Sequence, residues 1–238
     1  MTVDNKEKIE FLNLESGLVW PYHNEKKALS ASSLTRILKD IEYKDIPKSV
    51  LLKAAERGKT FHKSVQDFLK NKSLKESIKL IFEKENKTRL ESQIFETIEF
   101  FREKNIFDDF LESEKLHYSF YKGELIASYV DLEFREFIIE LKTNNFSSRN
   151  NLTSLLSFDI QLTIQHLCSK KQAYLLWSTG KKVFFSVFRI SESILSILDD
   201  LIDLWKNSEI YTPEIKGTII KKIMEKYSPS MNFDSFQI

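Results

Sequence analysis

From Leu116 to Lys142 the apolar residues stop recurring at three- and four-residue spacing and begin to alternate, and this switch of period limits the fold more than any other feature. Residues 116–121, 125–134 and 137–142 are rich in aromatic and β-branched side chains and read as three strands. Helical spacing surrounds them. A short helix at 31–41 follows a serine cap (Ser30, Ser32, Ser33), and Asp45-Ile46-Pro47 opens a long helix to about residue 69, with proline in its first turn. Amphipathic segments follow at 74–83 and 88–104. Residues 144–157 are polar and Asn/Ser-rich and read as a loop, 158–169 return to helix, and 173–178 with 183–190 form a hairpin around Thr179-Gly180. Helices at 192–206 and 213–226 close the chain. The pattern predicts an α/β fold, a mixed central β-sheet flanked by helices, with extra N- and C-terminal helices. Residues 1–28 read as an irregular lead-in and 29–238 as a single domain with a helical C-terminal segment, 191–238.

One strand carries an unusual charge pattern. In Ile138-Ile139-Glu140-Leu141-Lys142 the alternation puts Glu140 and Lys142 on one face and Ile139 and Leu141 on the other. If Arg135-Glu136 is the turn, Phe134 pairs with Phe137 and Asp131 falls opposite Glu140, with Cβ atoms roughly 4.5–5.5 Å apart. Carboxylates that close repel unless a positive charge lies between them, and a hard divalent cation suits. Arg-Glu is a poor sequence for a tight hairpin turn, so an odd-length loop that breaks this register stays open. So does a second reading, in which Glu140 and Lys142 are the solvated face of an edge strand.

His62 lies on the apolar stripe of its helix, which runs through Ala54, Gly58, Phe61, Val65, Phe68 and Leu69. Gly58 costs roughly 1 kcal/mol relative to alanine, and close approach of the helix to the sheet is one use for it. His62 then reaches the sheet surface as a ligand or packs as a hydrogen-bonded core histidine. Gln161 and Gln165 share a helix face at four-residue spacing and are either solvent-exposed or positioned on the same site. His23, His117 and His166 lack metal-ligand spacing, and Cys168 reads as a small apolar residue.

Composition removes several classes. A single cysteine excludes an intrachain disulfide framework, a four-cysteine iron–sulfur cluster and an ordinary structural zinc site, and fits a reducing, cytoplasmic setting. The first thirty residues hold no signal-like apolar run, and no stretch approaches the roughly 18 apolar residues of a membrane helix. Five glycines leave no Gly-rich phosphate loop, so no ATP chemistry is expected. The formal charge of +1 argues against a polybasic binder.

Taken in order, Ser30-Ala31-Ser32-Ser33-Leu34, Ala55-Glu56-Arg57-Gly58-Lys59-Thr60-Phe61-His62, Val130-Asp131, Glu140-Leu141-Lys142 and Gln161 resemble the PD-(D/E)xK nuclease superfamily. The likeness is to its RecB-like branch, which includes CRISPR-adaptation nucleases and the mitochondrial and phage genome-maintenance exonucleases. It spans about residues 29–190. The resemblance implies a restriction-endonuclease-like core and a DNA nuclease dependent on Mg²⁺ or Mn²⁺, acting as an exonuclease on single strands or ends. His62, Asp131, Glu140 and the carbonyl of Leu141 would hold the metal. Lys142 would act on the attacking water and the phosphate, and Gln161 would position them. Two alternatives remain: a weakly active nuclease-fold subunit that binds DNA or docks a partner, and a restriction-type endonuclease. Near-neutral charge predicts modest DNA affinity and a recruiting or processivity protein. Ser128 stands where the family often has glycine, Gln165 where it often has tyrosine, and the iron–sulfur cysteines are absent.

Overall fold

The computed structural model describes residues 9–13, 19–36, 38, 46–71, 75–106, 108–143 and 152–228. Strands β1 (Glu10–Asn13), β2 (Val19–His23) and β3 (Lys26–Lys27) form a small antiparallel sheet in that order. This corrects the expected irregular lead-in. The β2–β3 turn is Asn24-Glu25, both with positive φ (48° and 64°), as a tight hairpin requires. With no glycine in the pair, the turn leaves little trace in the sequence.

Helix α1 (Ala31–Leu34) starts at Ser30, whose Oγ accepts from the Ser33 N–H at 3.0 Å. Much of the rest of the expected 31–41 helix lies outside the described residues. Helix α2 (Lys48–Asn71) begins one residue after Pro47. Its apolar stripe is buried only from Phe61 onward; Ala54, expected in the stripe, is exposed, and no residue from Lys48 to Thr60 is buried. Helix α3 (Glu76–Glu83) and helix α4 (Arg89–Lys104) follow. A reciprocal Thr88/Glu91 capping box opens α4 and a left-handed Asn105 ends it.

The main sheet runs in the order β4 (Phe110–Tyr121), β5 (Glu124–Phe134), β6 (Phe137–Lys142), β7 (Gln172–Ser178), β8 (Val183–Val187). Among the described strands of this sheet only β6 and β7 pair in parallel, so the sheet is mixed. Parallel neighbours need a crossover, supplied by helix α5 (Leu152–Ser169). The helix starts six positions earlier than expected, so residues 152–157 are not loop; 144–151 lie outside the described residues. Its first turns mix Ser154 and Ser157 with Leu155 and Leu156, and all four are buried. Helices α6 (Glu192–Lys206) and α7 (Pro213–Lys226) fall where their spacing predicts, capped by Ser191 and Thr212.

Apolar clusters fill both faces of the sheet. One joins Ile138, Leu175 and Trp177 to Ile160 and Ile164 of α5 and to Ile197 and Leu201 of α6. The other joins Ile139, Leu141 and Leu176 to Phe61 and Val65 of α2 and to Ile98 and Phe101 of α4. Strand β6 is therefore central and buried on both sides. That removes the edge-strand reading, since Glu140 is only 1% exposed. No helix among the described residues is long and apolar enough to cross a membrane.

Candidate active site

Arg135-Glu136 is a two-residue connection between β5 and β6, with Phe134 and Phe137 stacked at 4.6 Å beside it. Neither turn residue has positive φ, so this hairpin departs from the usual glycine-bearing turns and is held by packing instead. Leu132 pairs with Ile139 and Glu133 with Ile138. The paired ladder stops there, and Asp131 is the next residue of β5 beyond it. There the Asp131 Oδ2 accepts from the Leu141 N–H at 2.8 Å, so a side chain takes up a donor that the ladder would otherwise use.

Two groups of side chains meet at this point. From α2, His62 brings Nδ1 to 3.3 Å from Asp131 Oδ1. From α5, Gln161 donates through Nε2 to Glu140 Oε1 at 2.8 Å, and Gln165 donates through Nε2 to Glu140 Oε2 at 2.6 Å. Lys142 Nζ pairs with Glu140 Oε1 and donates to Gln161 Oε1 at 3.2 Å. The structure thus places His62 against Asp131, and Glu140 among Lys142, Gln161 and Gln165. Gln165 is the residue that sequence reasoning undervalued. Its four-residue offset from Gln161 was the available signal, but a helix-face glutamine is ambiguous until the helix is known to be buried.

Burial, reinforced by the negative charge of Asp131, pushes the Glu140 carboxyl above its ordinary range despite Lys142 and Gln165. Burial alone would raise Asp131 too, but His62, Lys142 and the Leu141 N–H hold it below its ordinary value. Burial would lower His62, but the Asp131 carboxylate outweighs it and the imidazole is raised. Of two neighbouring carboxyls, one is driven toward ionisation and the other toward protonation.

The side-chain donors that meet here are two carboxylates and one imidazole; with the Leu141 carbonyl that the resemblance adds, they make an oxygen-rich set whose chemistry fits a hard divalent cation. The crowding that raises Glu140 is what such a cation would relieve. Among the described residues, however, no three His, Cys, Asp or Glu side chains stand together as a ready metal-binding group. Glu140 has both oxygens engaged by its neighbours and would have to turn one from Lys142 and Gln161.

A cleft of about 270 Å³ opens on this cluster, lined by Arg57, Gly58, His62, Arg89, Leu141 and Lys142. Gly58 does not serve the close helix–sheet approach expected of it, because a Cβ there would meet open space. The other singled-out residues lie elsewhere. His117 sits 3.3 Å from Glu133, which also pairs with Lys115 and Lys171; His166 Nδ1 lies 2.8 Å from the Lys171 carbonyl; His23 meets the Phe120 ring edge-on. Cys168 is buried, and burial pushes its thiol up to about 12.

No protein-family model matches the chain, and no curated protein matches it. Among solved structures it is similar to the crystal structure of SSO0001, at 17% identity over 79% of this chain and 80% of that one, with a TM-score of 0.44.

Proposed function

We propose that this chain is a divalent-metal-dependent deoxyribonuclease with a restriction-endonuclease-like core. It hydrolyses phosphodiester bonds, with single strands or DNA ends as its substrates. One observation carries the reading: Asp131 and Glu140 crowd each other on adjacent strands, with Lys142 and His62 beside them, at a cleft that Arg57 and Arg89 also line. His62, Asp131, Glu140 and the Leu141 carbonyl would hold Mg²⁺ or Mn²⁺. Such an ion, when bound, polarises a phosphate oxygen and lowers the pKa of water. Lys142 supplies fixed positive charge where negative charge develops on the phosphate. Gln161 bridges Lys142 and Glu140 and so fixes the ammonium relative to the acid. The guanidinium groups of Arg57 and Arg89 suit the flanking phosphates.

A second reading is a DNA-binding or partner-docking subunit with weak or no activity. It is favoured by the full engagement of both Glu140 oxygens with Lys142, Gln161 and Gln165. End-labelled single- and double-stranded DNA with Mg²⁺, Mn²⁺ or EDTA separates the two. The nuclease reading expects cleavage by the wild type with metal alone, and none by Glu140→Ala. Binding with no cleavage under any metal supports the second reading and ends the first.

A further inference from the structure

A second cleft, of about 210 Å³, opens between β2, the start of α1, β5 and α5, and it meets the same cluster at Gln161. Its character differs from that of the first. Among the described residues neither lysine nor arginine lines it; Trp20, Tyr129, Ser32, Ser128, Ser157 and Gln161 do. The Trp20 and Tyr129 rings lie 5.9 Å apart at 40°. Both rings are pinned by their polar ends, Trp20 Nε1 donating to the Ala28 carbonyl at 3.0 Å and the Tyr129 hydroxyl to the Val19 carbonyl at 2.6 Å. Aromatic faces held in this way bind a flat ligand with little further ordering cost.

The second observation is Ser157. It is only 5% exposed, and its Oγ has no hydrogen-bond partner among the described residues. Buried hydroxyls are ordinarily satisfied, so an unmet one in the wall of a polar cleft points to a ligand atom. Ser157 lies one helical turn before Gln161, on the same side of α5. The volume is below the roughly 300–1,000 Å³ of pockets that take drug-sized ligands, which limits the occupant to one monomer unit.

We propose that this cleft takes one unpaired nucleotide of a DNA strand, its base against Trp20 and Tyr129 and its sugar or phosphate oxygens on the serine hydroxyls. The assignment rests on the nuclease reading above and extends it. The strand's charged backbone runs in the arginine-lined cleft, the phosphate at Lys142 lies between, and the adjoining nucleotide is splayed into the neutral one. A paired base cannot enter, so the cleft makes an unpaired strand or frayed end the substrate.

The probe is a hexathymidylate carrying one 5-iododeoxyuridine, bound in EDTA so that nothing is cleaved. Irradiation and mass spectrometry should map cross-links to Trp20 or Tyr129, which stack on the base. Trp20→Ala should weaken binding about tenfold. Ser157→Ala should weaken it about fivefold without lowering Tm, because it deletes an unsatisfied buried hydroxyl. Three results would overturn the pocket: wild-type affinity in both variants, cross-links confined to the Arg57–Arg89 cleft, or equally tight binding of a blunt duplex. Failure of the two readings is distinguishable. A wild type that cleaves with Mn²⁺ while both variants bind normally loses the pocket alone. A wild type that cross-links at Trp20 but never cleaves loses the hydrolysis alone.

Discussion

Gln165 Nε2 lies 2.6 Å from Glu140 Oε2 and 3.1 Å from the Tyr129 carbonyl, so one amide ties the buried acid of β6 to the backbone of β5. Replacing it removes a donor from a carboxylate that water cannot reach. Gln165→Leu should therefore cost about 1–3 kcal/mol at neutral pH, read by urea unfolding. An unchanged unfolding midpoint would mean that the amide merely fills space.

Glu140 itself opposes stability at neutral pH. Its carboxyl is raised in the folded chain by burial and by Asp131. A raised acid contributes stability that is fully present below the ordinary glutamate value of 4.5 and is lost as pH rises through the folded value. Glu140→Gln cannot ionise, so its metal-free Tm at pH 7 should equal or exceed that of the wild type. The gap should close as pH falls toward 4.5. Metal-dependent cleavage should be abolished in the same variant. A large loss of metal-free stability at pH 7 would show instead that the ionised Glu140–Lys142 pair holds the fold.

Much of this site was legible in the sequence because it rests on strand alternation. Period two puts Glu140 and Lys142 on one face, and a two-residue loop sets the Leu132–Ile139 register that brings Asp131 near Glu140; both follow from counting. What was hidden depends on tertiary packing. The serine-bearing start of α5 reads as the end of an Asn/Ser-rich loop until its burial is known, and Gln165 resembles a solvent-facing residue for the same reason. The β1–β3 sheet was missed because its turn uses Asn24-Glu25 rather than glycine. The role given to Gly58 failed because helix spacing fixes a direction but not a distance.

Gly58 supplies a clean test of what its cleft is for. A Cβ at this position touches nothing within 4 Å, and the backbone is helical. Gly58→Ala should stabilise the chain by about 1 kcal/mol, a rise of roughly 2–4 °C in Tm. Because the residue lines the arginine-bearing cleft, the added methyl should also weaken DNA binding. Higher stability with unchanged DNA affinity would show that no strand passes close to α2 at this point.

Lys142 touches Glu140 and Gln161, and it lowers the carboxyl of each acid near it. As a protonated amine it cannot ligate a cation, so Lys142→Ala should cut turnover by about 10²–10³ while metal still binds. Losing the ammonium also raises Glu140 further, so the acid limb of the pH–rate profile should move to higher pH. Metal affinity reduced as severely as in Glu140→Ala would contradict the role given to the lysine.

The last prediction turns on His62, whose pH behaviour has opposite signs with and without metal. Its imidazole is raised above 6.5 by the Asp131 carboxylate, which outweighs burial. In the metal-free chain the paired imidazolium contributes stability that is fully present below pH 6.5 and is lost as pH rises through the raised value. Asp131, held below 3.8, contributes stability that is present above that pH and is lost as the carboxyl protonates. Without metal, the advantage of wild type over His62→Ala should thus be greatest in the window between those two values and shrink toward alkaline pH. Metal requires the neutral ring, so stabilisation by saturating Mn²⁺ should do the reverse, growing with pH and already declining as pH falls toward 6.5. Thermal melts of both proteins at about pH 5.5 and about pH 8.5, each with and without Mn²⁺, resolve the two trends on either side of the unperturbed histidine range. If Mn²⁺ stabilises His62→Ala as much as wild type at the higher pH, His62 is a partner of Asp131 and not a ligand.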